Sequence, residues 1–135
     1  MRKNRVISQQ GFTLIELMVT VAIVVILTMI AFPNYQSYLI SSKRAEAQSH
    51  LFAIAQYLES QYNASFQYPQ PDNIPSQLTT PQHLATHYVF EVDSTSGQNF
   101  TIKATPTSRQ KDSLCGVLTL DSKGDKTPKV EGCWK

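Results

Sequence analysis

The chain has 135 residues, 41% hydrophobic, 16% charged and 10% aromatic, with 12 Lys+Arg against 10 Asp+Glu. That length accommodates one domain and little more, which excludes a two-domain enzyme built on a cofactor fold. Five glycines, seven prolines and two cysteines exclude collagen-like, disordered and disulfide-dense classes.

Charge and hydropathy are segregated along the chain. Arg2, Lys3 and Arg5 place three positive charges in the first eleven residues, and Phe12–Phe32 follows as an apolar block in which Glu16 is the only charged side chain. About 20 apolar residues in helical form match the roughly 30 Å hydrocarbon core of a bilayer. The positive charges ahead of the block orient the N-terminus toward the cytoplasm. An ordinary cleaved secretory signal needs a shorter apolar core and a small-x-small cleavage site. Here the run is too long, and it ends in Ala31-Phe32-Pro33-Asn34.

Glu16 is the anomaly in this block. A carboxylate in a membrane helix costs about 2.5–3.5 kcal/mol at the bilayer centre and less near an end, so it signals a partner. Cutting the chain after Gly11 would create an α-amino group on Phe12, one helical turn from Glu16. That amine would neutralise the carboxylate in the same chain or in a neighbouring one.

Helical character continues past the bilayer-length block, with Pro33 tolerated as a kink. Tyr35, Tyr38, Leu39, Leu51, Ile54, Ala55, Leu58 and Tyr62 recur mainly at three- and four-residue spacing, with Lys43, Arg44, Glu46, Gln48 and Glu59 largely between them. This predicts an amphipathic helix reaching about Tyr62 or Asn63. A rod from Phe12 to Tyr62 is roughly 75 Å long at 1.5 Å per residue, more than so small a domain encloses, so half of it must project. Four prolines between Pro69 and Pro81 predict a mostly irregular loop. Tyr88–Val92 and Phe100–Ala104 flank Ser94-Thr95-Ser96-Gly97 as an antiparallel hairpin, and further strands are expected over Leu114–Leu120 and near Thr127–Val130. The expected fold class is α+β, a small antiparallel sheet laid on the C-terminal half of a long N-terminal helix.

The run Gln10-Gly11-Phe12-Thr13-Leu14-Ile15-Glu16-Leu17, behind Arg2 and Lys3 and ahead of the apolar block, resembles the class III signal of type IV pilins and pseudopilins. The resemblance implies residues 1–11 as a leader cleaved after Gly11 by a prepilin peptidase, and N-methylation of Phe12. It implies residues 12–33 as a helix half that first anchors the subunit in the inner membrane and later packs in a filament core. Residues 34–135 become a periplasmic head, extracellular once the pilus is assembled. Glu16 matches the family's acidic position, implied to contact the N-terminal amine of an adjacent subunit.

Cys115 and Cys133 enclose seventeen residues. Two cysteines alone are compatible with buried thiols or half of a metal site, but there is no CxxC, and His50, His83 and His87 are distant in sequence, which disfavours zinc. With the head outside the cytoplasm a disulfide persists, and closing this loop is worth roughly 3 kcal/mol in the chain-entropy model. The pair matches the C-terminal disulfide-bounded region of type IV pilins, implied to contribute to subunit contacts.

Pro33–Tyr38, Lys43–Gln48, Cys115–Leu120 and Cys133-Trp134 resemble minor pilins of the PilE type, implied to connect an initiating complex to the major subunits. A small major pilin, a competence pilin and a type II secretion pseudopilin share the pattern. Motility, adhesion, DNA uptake and secretion are all outputs compatible with it. No nucleophile elbow or HExxH surrounds the histidines, so no enzyme, cofactor or metal is expected. Asp121 and Asp125 sit in a turn that offers calcium few ligands. Asn63-Ala64-Ser65 and Asn99-Phe100-Thr101 fit the glycosylation pattern, which is common by chance. Trp134 is expected to pack beside the disulfide. Residues 103–135 hold seven basic and four acidic side chains. Lys103, Arg109, Lys111, Lys123, Lys126 and Lys129 therefore make DNA a weaker second partner, after other pilin subunits and the inner-membrane assembly machinery.

Overall fold

The computed structural model describes residues 10–135, so Arg2, Lys3, Arg5 and most of the expected leader lie outside the described residues. The chain divides into two compact units between Ser37 and Tyr38. A single helix, α1 (Leu14–Ser65), contributes to both.

In the first unit α1 carries an 18-residue stretch long and apolar enough to cross a membrane, with none of it buried. Ile15, Met18, Ile26, Ile30 and their apolar neighbours are all exposed. The hydroxyls in this segment are satisfied internally: Thr20 donates to the Glu16 carbonyl at 2.7 Å and Thr28 to the Val25 carbonyl at 2.8 Å. Such back-bonding leaves neither threonine hydroxyl in need of water. Helix continues through Pro33.

In the second unit, Tyr38–Lys135, α1 buries Arg44, Ala47, Gln48, Leu51, Ile54 and Leu58. The three- and four-residue spacing is that of one helix face. The face meets a four-stranded antiparallel sheet in the order β1 (Tyr88–Asp93), β2 (Thr101–Pro106), β3 (Leu118–Asp121), β4 (Lys126–Thr127). Glu91 pairs with Lys103, Ala104 with Leu118, and Leu120 with Lys126. Alternation along the strands turns Tyr88, Phe90, Ile102, Ala104, Leu118 and Leu120 inward, where they form one core with Leu51, Ile54, Leu58 and Leu84. The Tyr68 hydroxyl donates to Glu59 at 2.9 Å; burial, then that bond and the Glu59 charge, push its pKa up to about 12.

Several boundaries differ from expectation for identifiable reasons. α1 ends at Ser65, where Phe66 adopts a positive φ of 57°. The proline-rich loop holds two single turns, a 3₁₀ turn at Pro71–Asn73 and α2 (Ser76–Thr79). β3 begins at Leu118 rather than Leu114 because Gly116, at φ 58°, closes a turn by donating to the Asp112 carbonyl at 2.9 Å. β4 stops at Thr127 because Pro128 has no N–H to offer the ladder. The core stripe starts at Arg44, not at Tyr35: Tyr35, Tyr38 and Leu39 are exposed, while Arg44 and Gln48, expected outside the stripe, are buried.

Candidate functional site

The candidate residues gather in two places. The first is the junction before α1. Gln10–Thr13 are not helical, Gly11 has open space around it, and Phe12 is 88% exposed. The Gly11–Phe12 peptide is therefore off the helix and accessible. Thr13 and Glu16 cap α1 reciprocally: the Glu16 N–H donates to Thr13 Oγ1 at 3.3 Å and the Thr13 N–H to Glu16 Oε2 at 3.4 Å. This is a capping box, with the carboxylate also favoured by about 0.3–1 kcal/mol at the positive helix end. Its sequence signature is Thr-x-x-Glu ahead of an apolar run, a functional use of Glu16 not among those expected from the sequence. Glu16 thus already answers the backbone nitrogen next to the one that cleavage after Gly11 would turn into an ammonium.

The second place is the surface around the disulfide. Cys115 and Cys133 are bonded, with Cα atoms 5.6 Å apart. Both ends are gripped by polar side chains of α1. One Arg44 guanidinium nitrogen lies 3.1 Å from each Asp112 oxygen and also contacts Cys115 Sγ. Asp112 Oδ1 accepts from the Cys115 N–H at 3.2 Å. Gln48 donates to the Cys133 carbonyl and accepts from the Lys135 N–H. These partners explain how two polar residues occupy the buried helix face. Trp134, half-buried, packs on the core and edge-on to Phe52, and the Lys126 ammonium lies 4.9 Å from the Phe52 ring centre and 5.6 Å from that of Trp134.

The remaining candidates have local tasks. His50 bonds the Leu78 carbonyl at 2.6 Å and packs against Phe90, tying the α2 segment to α1. His83 lies edge-on to His50, and His87 bonds Thr86 Oγ1. Asp121 Oδ1 accepts from the N–H groups of Lys123 and Asp125, which commits it to its own turn. Asn63 and Asn99 are exposed. Among the described residues no three His, Cys, Asp or Glu side chains converge as metal ligands. Lys103, Arg109, Lys111, Lys123 and Lys129 are exposed, and Lys126 is half-buried. The only ion pairs among the described residues are Lys43–Glu46 and Arg44–Asp112.

Residues 33–119 match the family described as type IV minor pilin ComP, DNA uptake sequence receptor, and residues 7–32 match the prokaryotic N-terminal methylation motif. The chain belongs to the type IV pilin family. This pilin is 33% identical over 93 residues to the type IV major pilin protein PilE1 of Neisseria gonorrhoeae, a stretch covering 66% of this chain and 54% of that relative. It therefore spans about half the length of that protein. It is 29% identical over 141 residues to a fimbrial protein of Pseudomonas aeruginosa, covering 95% of this chain and 92% of the other. Among solved structures, a type IV pilin from Shewanella oneidensis superposes with a TM-score of 0.59 at 32% identity, over 71% of this pilin and 98% of that one. The ComP match takes in Lys103, Arg109 and Lys111 and stops before Lys123, Lys126 and Lys129.

Proposed function

We propose that this pilin is a filament subunit whose leader is removed after Gly11 by a prepilin peptidase. Phe12 becomes the methylated N-terminus, and residues 12–33 pass from the inner membrane into a filament core. The observation that carries this reading is the apolar stretch of α1, with none of it buried, starting directly after a solvent-accessible Gly11–Phe12 peptide. Such a surface is stable only in lipid or against other copies of itself. In that setting the Glu16 carboxylate pairs with the Phe12 amine of a neighbouring subunit, which removes the cost of burying it alone. The head faces the periplasm before assembly and the exterior afterwards. The short matches to PilE-type minor pilins support a low-abundance place between the initiating complex and the major subunits.

The test is mass spectrometry of sheared surface filaments from cells expressing the wild type or Gly11→Val. The wild type is expected to begin at methylated Phe12 and to be scarce relative to the main subunit. The variant is expected to retain residues 1–11 and to be missing from filaments. Equal mature mass for the two would refute the processing step. A second reading, DNA capture by the head at the filament surface, is favoured by the ComP match and by the basic C-terminal third. DNA retention that weakens steeply with salt would support it.

A further inference from the structure

The segment between β2 and β3 is built in an alternating fashion. Arg109 and Lys111 are exposed, whereas Gln110 is 3% and Asp112 is 6% exposed. Gln110 Nε2 donates to the Ile40 carbonyl of α1 at 2.8 Å and to the Tyr88 hydroxyl at 3.2 Å. Asp112 is held by Arg44 and by the Cys115 N–H. The segment's entry is pinned as well, Thr107 donating from its N–H to the His87 carbonyl at 2.9 Å and from its hydroxyl to the Thr86 carbonyl at 2.6 Å.

This arrangement has an electrostatic consequence. Thr107–Leu114 contains two cations and one acid, and the acid is turned inward and matched by Arg44. The outward face is left with Arg109 and Lys111, neither of them in an ion pair among the described residues. Lys126, by contrast, is engaged with two aromatic rings, and Lys123 and Lys129 lie beyond the ComP match.

We propose that Thr107–Leu114 is a preformed two-cation clamp for the backbone phosphates of DNA, with Arg109 and Lys111 as the contacts and Gln110 and Asp112 as the inward groups that position them. This rests on the second reading above and assigns its contacts. Holding the segment before DNA arrives removes much of the ordering cost of binding. Arg109 offers a planar fork of donors and Lys111 a point charge, and both suit phosphate oxygens.

The full chain in detergent micelles is titrated against a fluorescein-labelled DNA duplex of mixed sequence, followed by anisotropy at several salt concentrations. Replacing both contacts (Arg109→Gln with Lys111→Gln) is expected to reduce the slope of log K against log salt by about 1.8, or about 0.9 per phosphate contact. Between 50 and 200 mM salt the wild type therefore loses about twelvefold more affinity than the double variant. Gln110→Ala keeps the slope but weakens binding several-fold at every salt concentration, measured well below its melting temperature. If the wild type binds and the double variant binds with the same slope, the clamp is wrong while DNA capture stands. If the wild type binds no DNA at low salt, the underlying reading fails and the clamp with it. Wild-type affinity in Gln110→Ala would overturn the positioning role.

Discussion

Removing the guanidinium of Arg44 is the sharpest perturbation of the head. In Arg44→Ala the Asp112 carboxylate, whose side chain is 2% exposed, loses the cation 3.1 Å from each of its oxygens and keeps the Cys115 N–H as a hydrogen-bond donor. A buried ion pair need not add net stability relative to an apolar pair, but breaking one by deleting a single partner costs about 3–5 kcal/mol. For a domain of this size each kcal/mol moves the midpoint by about 4 °C or more, so Arg44→Ala is expected to melt at least about 12 °C below the wild type. Lys43→Ala is the matched control, because Lys43–Glu46 has side chains 29% and 40% exposed. An exposed pair of that kind is worth about 0.2–1 kcal/mol.

Thermal unfolding of the full chain in detergent, followed by near-ultraviolet circular dichroism of Trp134 and the tyrosines, reads both shifts. The decisive comparison adds Asp112→Leu. Because the single variant suffers chiefly from a stranded charge, removing that charge should recover part of the loss, and the double variant should melt above Arg44→Ala. A shift below about 3 °C for Arg44→Ala, or strictly additive losses in the double variant, would refute this account of the pair.

Other expectations follow from the same structure. Glu16→Ala should leave membrane insertion intact and lower incorporation into filaments; normal incorporation, scored on sheared filaments, rejects the pairing role. Leu58→Ala, at a side chain with no exposure between α1 and the sheet, should cost about 2–5 kcal/mol by denaturant unfolding. Of the six tyrosines, Tyr68 and Tyr88 have hydroxyls raised by burial to about 12. A raised folded pKa means their contribution to stability is present below pH 10 and fades as pH climbs through 12. Alkaline titration by absorbance should then show a late-ionising fraction that merges with unfolding.

Legibility in the sequence followed the range of the interaction. The apolar block, the Gly11 junction and the β1–β2 hairpin are local patterns of period or composition, and residues a few positions apart reveal them. Arg44 and Gln48 were not legible in that way. They sit on the same helix face as Ala47 and Leu51, but a polar residue there reads as solvated unless its partner is known. Those partners, Asp112 and Cys133, are 68 and 85 residues away in sequence. Leu114 and Cys115 look like strand because they are apolar neighbours of a true strand, and the left-handed Gly116 that separates them from it carries no side-chain signal. The Thr13–Glu16 capping box is also local, a Thr-x-x-Glu spacing ahead of an apolar run, but a partner sought for Glu16 among ammonium groups passes over the backbone N–H of Thr13.

The polar grip of α1 on the disulfide region lies wholly within Tyr38–Lys135, while the Gly11–Phe12 peptide, where processing is proposed, lies in the other unit. Apolar contacts set no orientation, whereas the hydrogen bonds from Arg44 to Asp112 and from Gln110 to the Ile40 carbonyl fix which side chains of the 107–114 segment face out. The head can therefore be damaged without touching the proposed processing junction. Arg44→Ala should still be cleaved after Gly11 at wild-type rate, even where its head is partly unfolded at growth temperature. Gly11→Val should retain a Cys115–Cys133 bond and a wild-type melting curve while keeping residues 1–11. Pulse-labelling for cleavage, combined with thiol alkylation for the disulfide, measures both in one culture. Loss of cleavage in Arg44→Ala at normal membrane insertion would mean that the peptidase reads the folded head as well as the junction, and the separation argued from the structure would be wrong.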